Sequence, residues 1–124
     1  MYELKVELEF SAAHRLNNYE GKCERLHGHN WTVEAIVRGA ELNEIGIVID
    51  FKIIKAELKK VLDEFNHQYL NELEIFANQN PSAENIAREI FNRFSVSEIF
   101  SGTAKLHAVS VYETHGSCAT YYPD

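Results

Sequence analysis

The chain has 124 residues, of which 45% are hydrophobic and 25% charged; this fits one domain spanning 1–124, since domains usually run to about 100–150 residues. At that length roughly two thirds of the unfolded chain's surface can be buried without disulfide staples, and the composition excludes disorder, collagen and mucin. Nineteen acidic against twelve basic side chains give a net charge of −7, which repels a phosphate backbone, so no nucleic acid partner is expected.

Apolar runs reach only three residues, as at Ile47-Val48-Ile49, far short of the roughly 20 that span a bilayer. Neither a membrane span nor a signal peptide is expected. Cys23 and Cys118 lie far apart with no CxxC spacing, which points to free thiols in a reducing cytoplasm.

Leu4, Val6, Leu8, Phe10 and Ala12 alternate with Glu3, Lys5, Glu7, Glu9 and Ser11, the pattern of a half-buried strand. Trp31, Val33, Ala35 and Val37 alternate in the same way with Thr32, Glu34 and Arg38, and the polar segment 39–46 follows as a loop. Ile47-Val48-Ile49 reads as a short extended piece ending at Asp50, a favourable helix N-cap. From Phe51 the period changes: Ile54, Leu58, Val61, Leu62 and Phe65 recur at helical spacing, which predicts a helix over about 51–65.

Residues 66–80 read as a polar loop of functional length. Pro81-Ser82 then opens a second helix with the stripe Ile86, Ala87, Ile90, Phe91 and Phe94, fading near Ser95. Two final strands flank a turn at Thr114–Ser117, with Cys118 expected as a small buried hydrophobe. The order ββααββ predicts an α+β fold, an antiparallel sheet with both helices on one face.

Three of the six histidines extend the strand phases. His14 continues the apolar face of the first strand past Ala12; His27 and His29 continue that of the second strand back from Trp31. Residues two apart on a strand project the same way, so His27 and His29 can converge on one ion across Gly28, whose lack of a side chain keeps the approach uncrowded. With His14 they make a three-nitrogen set that leaves a fourth position open, which favours Zn²⁺ over Fe²⁺ or Mn²⁺.

Cys23, four residues before His27 and beside Lys22 and Arg25, is placed to act as a thiolate base or nucleophile near that ion. His67 in the long loop is a second candidate proton carrier. Glu113 is in phase with Val109 and Val111, so its carboxylate is expected to point inward at a strand end, where it needs a partner.

The segments Phe10-Ser11-Ala12-Ala13-His14-Arg15-Leu16, Cys23-Glu24-Arg25-Leu26-His27-Gly28-His29, Ile49-Asp50-Phe51, His67-Gln68-Tyr69-Leu70-Asn71, Pro81-Ser82-Ala83-Glu84-Asn85 and Glu113-Thr114 together resemble the 6-pyruvoyl-tetrahydropterin synthase and 6-carboxy-tetrahydropterin synthase family over nearly the whole chain. The CxxxHGH element is its most specific part. The resemblance implies a tunnelling fold (T-fold) that trimerises into a barrel and pairs into a hexamer, a dimer of trimers with sites between subunits. It implies zinc on His14, His27 and His29, Cys23 as catalytic base, His67 as its relay partner and Glu113 as anchor for a pterin's N–H groups, with Ser82, Ala83 and Glu84 lining the pterin pocket.

One position departs from the family pattern: Asn66 stands where Asp usually precedes the relay histidine, and an amide cannot stabilise an imidazolium with charge. The implied substrate is 7,8-dihydroneopterin triphosphate, whose triphosphate needs cations; Arg15, Lys22 and Arg25 cluster near the ligand loop, with pairing to Glu20 and Glu24 as the alternative use of their charge. The short chain and the CExLHGHN spelling favour the carboxy branch, which releases triphosphate and acetaldehyde on the route to queuosine and other deazapurines, over the pyruvoyl branch. Two rivals stay open. One is a non-catalytic pterin- or metal-binding protein; the other is a cupin-like module, whose first motif His27-Gly28-His29 followed by Glu34 imitates.

Overall fold

The computed structural model describes residues 1–22 and 24–124. In chain order its elements are β1 (Tyr2–His14), β2 (His27–Gly39), α1 (Phe51–Leu62), β3 (Gln68–Tyr69), α2 (Ala83–Phe94), β4 (Lys105–Thr114) and β5 (Ser117–Tyr121). The strands form one five-stranded sheet in the order β3-β1-β2-β4-β5. The alternation read from the sequence sets the buried face: Val6, Phe10 and Ala12 of β1 and Trp31, Val33, Ala35 and Val37 of β2 all enter the core.

Both helices cover that face, α1 over β1 and α2 over β4 and β5. Asp50 caps α1 by accepting from the Lys52 N–H at 2.8 Å, and Ser82 caps α2 by accepting from the Asn85 N–H at 3.2 Å. Ile54, Leu58, Ile86, Ile90 and Phe94 close the core with no exposed surface. The α+β architecture with two helices on one face is as predicted. A cupin needs a barrel of many more strands, so that rival is excluded.

Several local expectations are corrected. The helix predicted to Phe65 ends at Leu62, because the amides of Glu64 and Phe65 turn back to Val61 and Leu62 and the chain then reverses at His67, whose φ is +60°. Phe65 is nevertheless fully buried. Ile47-Val48-Ile49 is not a strand: Asn43 ties it into a loop, its Oδ1 accepting from the Ile45 and Ile47 amides while its own N–H bonds the Ile47 carbonyl. Val48 packs so closely on the end of β2 that a Cβ at Gly39 would stand 2.6 Å from Val48 Cγ1.

The expected loop over 66–80 carries structure of its own. β3 pairs in parallel with Ala12 and Ala13 of β1, so the sheet is not wholly antiparallel. Two 3-10 turns follow, Leu70–Glu72 and Glu74–Phe76, and bury Leu70 and Phe76. Cys118 is exposed rather than buried, since it pairs across the hairpin with Tyr112 while its neighbour Ala119 opposes the buried Val111. On the uncovered face Glu34 is buried beside Lys5, with Oε1 3.7 Å from Nζ, and burial raises its pKa above the usual carboxylate value.

Candidate metal centre

Three imidazoles meet where the paired ends of β1 and β2 leave the core. The register sets His14 directly opposite His27, and His29 lies two residues further along β2 on the same face. The Nε2 atoms of His14 and His27 are 3.0 Å apart, and the His29 ring lies 4.7 Å from that of His27 and 5.4 Å from that of His14.

Glu113 comes from the end of β4, at a register shift between Tyr112 and Thr114. Such bulges re-aim a side chain, and here the carboxylate brings Oε1 to 3.1 Å from His29 Nε2 and Oε2 to 4.0 Å from His14 Nε2. One ligand atom from each of the four residues lies within 4.8 Å of the others. Trp31 forms the floor, its ring edge-on to His14 at 4.8 Å and to His29 at 5.2 Å, with its N–H donating to the Ala12 carbonyl at 3.2 Å.

The protonation pattern follows from the partners. His14 Nδ1 lies 2.8 Å from the Pro81 carbonyl oxygen and His27 Nδ1 lies 2.8 Å from that of Arg25. A carbonyl only accepts, so each Nδ1 carries a hydrogen, which leaves Nε2 as the nitrogen that carries the lone pair in the neutral form of either ring. The two Nε2 atoms face one another at 3.0 Å, an arrangement in which a cation can take a lone pair from each. Nitrogens bound tetrahedrally at about 2.0–2.1 Å from one zinc ion stand roughly 3.3 Å apart, close to this separation. Among the described residues His29 Nε2 is buried with no hydrogen-bond partner; Glu113 Oε1 is near, at 3.1 Å, but off the hydrogen-bonding direction. The residues present therefore fit a divalent ion of zinc's type.

Burial is the main cause that lowers the His14 pKa below the ordinary histidine value of 6.5, with the Pro81 hydrogen bond opposing it. The unfolded chain thus takes up this proton at a higher pH than the folded one. In the metal-free protein the His14 contribution to stability is complete above pH 6.5 and declines as the pH falls from there toward the lowered folded value. The slope from this one group is at most about 1.4 kcal/mol per pH unit. Urea melts of metal-free protein at pH 7.5 and 5.5 check it, with His14→Phe removing this part of the difference.

The other candidate residues divide into three sets. Ala83 and Glu84, at the start of α2, join Glu113, Thr114 and Cys118 around a cavity of about 260 Å³, while Ser82 is the cap just before it. Arg15 and Arg25 are exposed, and among the described residues neither pairs with Glu20 or Glu24. His67 is exposed at the opposite edge of β1, its N–H donating to the Ser11 carbonyl at 2.6 Å, and it is not among the four gathered residues. The Asn66 Oδ1 accepts from the Ser11 N–H at 2.9 Å.

The Cys23 assignment lies outside the described residues. The expectation for Gly28 is corrected: a Cβ there would meet only the Ala12 carbonyl oxygen, at an ordinary 3.9 Å, so the convergence of His27 and His29 does not depend on a missing side chain. The Pro81 and Arg25 carbonyls were not foreseen, because main-chain acceptors leave no residue-type signal.

The model of the family described as 6-pyruvoyl tetrahydropterin synthase matches residues 3–124. A 6-carboxy-5,6,7,8-tetrahydropterin synthase of Synechocystis is 36% identical over 98% of this chain and 94% of its own, and one of Haemophilus influenzae is 31% identical over 98% and 99%. Among solved structures, the Caenorhabditis elegans 6-pyruvoyl tetrahydropterin synthase superposes with a TM-score of 0.82 at 26% identity, covering 99% of this chain and 96% of that one. The Plasmodium vivax 6-pyruvoyltetrahydropterin synthase gives 0.80 at 25% identity, covering 99% and 98%. With its T-fold sheet, its four gathered side chains and these matches, the chain belongs to the 6-pyruvoyl tetrahydropterin synthase family of tetrahydropterin synthases.

Proposed function

We propose that the chain is a zinc-dependent lyase, a 6-carboxy-5,6,7,8-tetrahydropterin synthase that converts 7,8-dihydroneopterin triphosphate with loss of triphosphate and acetaldehyde and feeds queuosine and deazapurine formation in the cytoplasm. The observation that carries this reading is the meeting of two imidazoles, Nε2 to Nε2 at 3.0 Å with each Nδ1 on a main-chain carbonyl, beside a carboxylate and a cavity. The names of the curated relatives favour the carboxy branch.

His14, His27 and His29 would hold zinc through Nε2. When bound, zinc supplies Lewis acidity toward the hydroxyls of the substrate side chain. Glu113 stands between the imidazoles and the cavity lined by Ala83 and Glu84, where its carboxylate accepts hydrogen bonds from the pterin's amino and ring N–H groups. The Cys23 thiolate removes a carbon-bound proton and His67 carries protons in turn. Because His67 stands apart from the imidazoles of its own chain, it serves the site of a neighbouring subunit in a hexamer. Arg15 and Arg25, which among the described residues pair with neither Glu20 nor Glu24, receive the triphosphate.

The hexamer also answers the open edges of the sheet. β3 covers only Ala12 and Ala13 of β1, leaving most of that long strand unpaired on one side, and exposed edges call for a partner. Among the described residues no helix is long and apolar enough to cross a membrane.

Purified protein, with its zinc counted, is given 7,8-dihydroneopterin triphosphate while pterins, triphosphate and acetaldehyde are followed. The expected result is acetaldehyde and triphosphate in equal amounts with a carboxypterin. A pyruvoyl product without acetaldehyde assigns the other branch, and pterin binding without turnover assigns a non-catalytic role.

A further inference from the structure

The segment that leaves His14 is held in an unusual way. The N–H of Arg15 donates to Asn71 Oδ1 at 2.9 Å while its carbonyl accepts from Asn71 Nδ2 at 2.8 Å. Asn17 is treated identically by Asn80, at 2.8 Å and 2.9 Å. Between them, Leu16 donates to Glu24 Oε1 at 3.2 Å, and its carbonyl accepts from the Glu24 N–H at 2.9 Å. Three successive residues thus have both main-chain polar groups taken by one partner each, in a stretch that among the described residues has no strand neighbour to satisfy them.

Two of those partners sit next to the carbonyls that orient the imidazoles. Asn80 immediately precedes Pro81, which holds His14, and Asn80 is itself tied to α2 through the Asn85 side chain, which donates to its carbonyl at 2.8 Å. Glu24 immediately precedes Arg25, which holds His27, and its carboxylate lies 3.8 Å from His27 Nδ1. Each clamp therefore anchors one orienting carbonyl to the same short piece of chain, and that piece begins at His14.

We infer that Asn80 and Glu24 are positioning residues for the metal centre, with Asn71 as their support at Arg15. They lock residues 15–17, and through them the Pro81 and Arg25 carbonyls, so that His14 and His27 present Nε2 before any ion arrives. This rests on the metal reading proposed above. Partners behind a ligand typically change metal affinity by about 10–100-fold when removed, although these residues touch no ion.

The test is Co²⁺ binding by the intact chain, read from ligand-field absorption and from competition with a chelator, alongside hydrogen exchange of the metal-free protein. In the wild type the Leu16 and Asn17 amides are expected to exchange slowly despite their surface position. Asn80→Ala and Glu24→Ala should each weaken Co²⁺ binding by about 10–100-fold and speed exchange at the amide they clamp. Glu24→Gln, which keeps an acceptor for the Leu16 N–H but not the charge, should restore affinity to within a few-fold of the wild type.

Variants that bind Co²⁺ like the wild type overturn the inference, as does a Glu24→Gln variant as weak as Glu24→Ala. If Asn80→Ala does not fold, the two Glu24 variants decide alone, since their site is a surface loop. A wild-type chain that takes no Co²⁺ overturns the metal reading and this inference together, whereas a wild type that binds alongside unaffected variants overturns only the clamp.

Discussion

His29→Ala is expected to produce a folded protein that zinc no longer stabilises and whose turnover falls at least about a hundredfold, comparable to or beyond the loss on removing a residue behind a ligand. A ligand that binds only the native state adds RT ln(1 + [L]/Kd) to its stability, about 4 kcal/mol at a thousand times Kd. Wild-type protein should therefore melt at a clearly higher temperature with zinc than with chelator. In His29→Ala the two curves should nearly coincide.

The metal-free curves carry separate information. His29 Nε2 is buried and, among the described residues, has only the off-axis Glu113 carboxylate near it, and the ring is half-buried rather than fully enclosed, so alanine gives up little beyond the ring's packing on Trp31. Metal-free His29→Ala should accordingly lose much less stability than truncating an ordinary core ring. A variant that keeps the full zinc-dependent rise in melting temperature would remove His29 from the ligand set.

Trp31→Ala should have the largest effect on the fold itself, about 3–5 kcal/mol in denaturant melts. The side chain has no exposed surface, stacks on Phe10 at 6.0 Å and supports two of the three imidazoles from below. Trp31→Phe keeps most of that surface and gives up the hydrogen bond to Ala12, so its cost should be about 1–2 kcal/mol. Trp31 is the one tryptophan of the chain, so circular dichroism rather than fluorescence follows the variants. A loss below about 1 kcal/mol for alanine would show that the site has no rigid base.

The main strands and the convergence of three imidazoles were legible because one rule governs both. A period of two carries the buried face of β1 to His14 and that of β2 to His29 and His27, with no change of phase at the strand ends. Glu113 was readable as inward-pointing for the same reason, although not the bulge that turns it toward His29. What escaped lacks periodicity. β3 is two residues long, too short to alternate, and its pairing with β1 depends on contacts 56 residues apart in sequence.

Capping and tying by asparagine escaped as well. Asn43, Asn66, Asn71 and Asn80 all look like ordinary loop residues in the sequence, since an amide's partners are set by the tertiary fold. The end of α1 was overestimated because Phe65 is as buried as any helical core residue, and burial alone does not distinguish a helix from the turn that follows it. The solvent position of Cys118 follows from a hairpin register fixed by the same bulge.

The use of main-chain oxygens behind His14 and His27 has a consequence for how this protein can vary. No side-chain replacement at Arg25 deletes the atom that holds the His27 ring, so the exposed side chain there can change while the main-chain contact to the ring stays. Both oxygens are also formally neutral, so negative charge reaches the imidazoles from side chains instead: Glu113 beside His29 and His14, and Glu24 at 3.8 Å from His27 Nδ1. Ring orientation and the charge around the rings are thereby encoded at separate positions, each open to drift without the other.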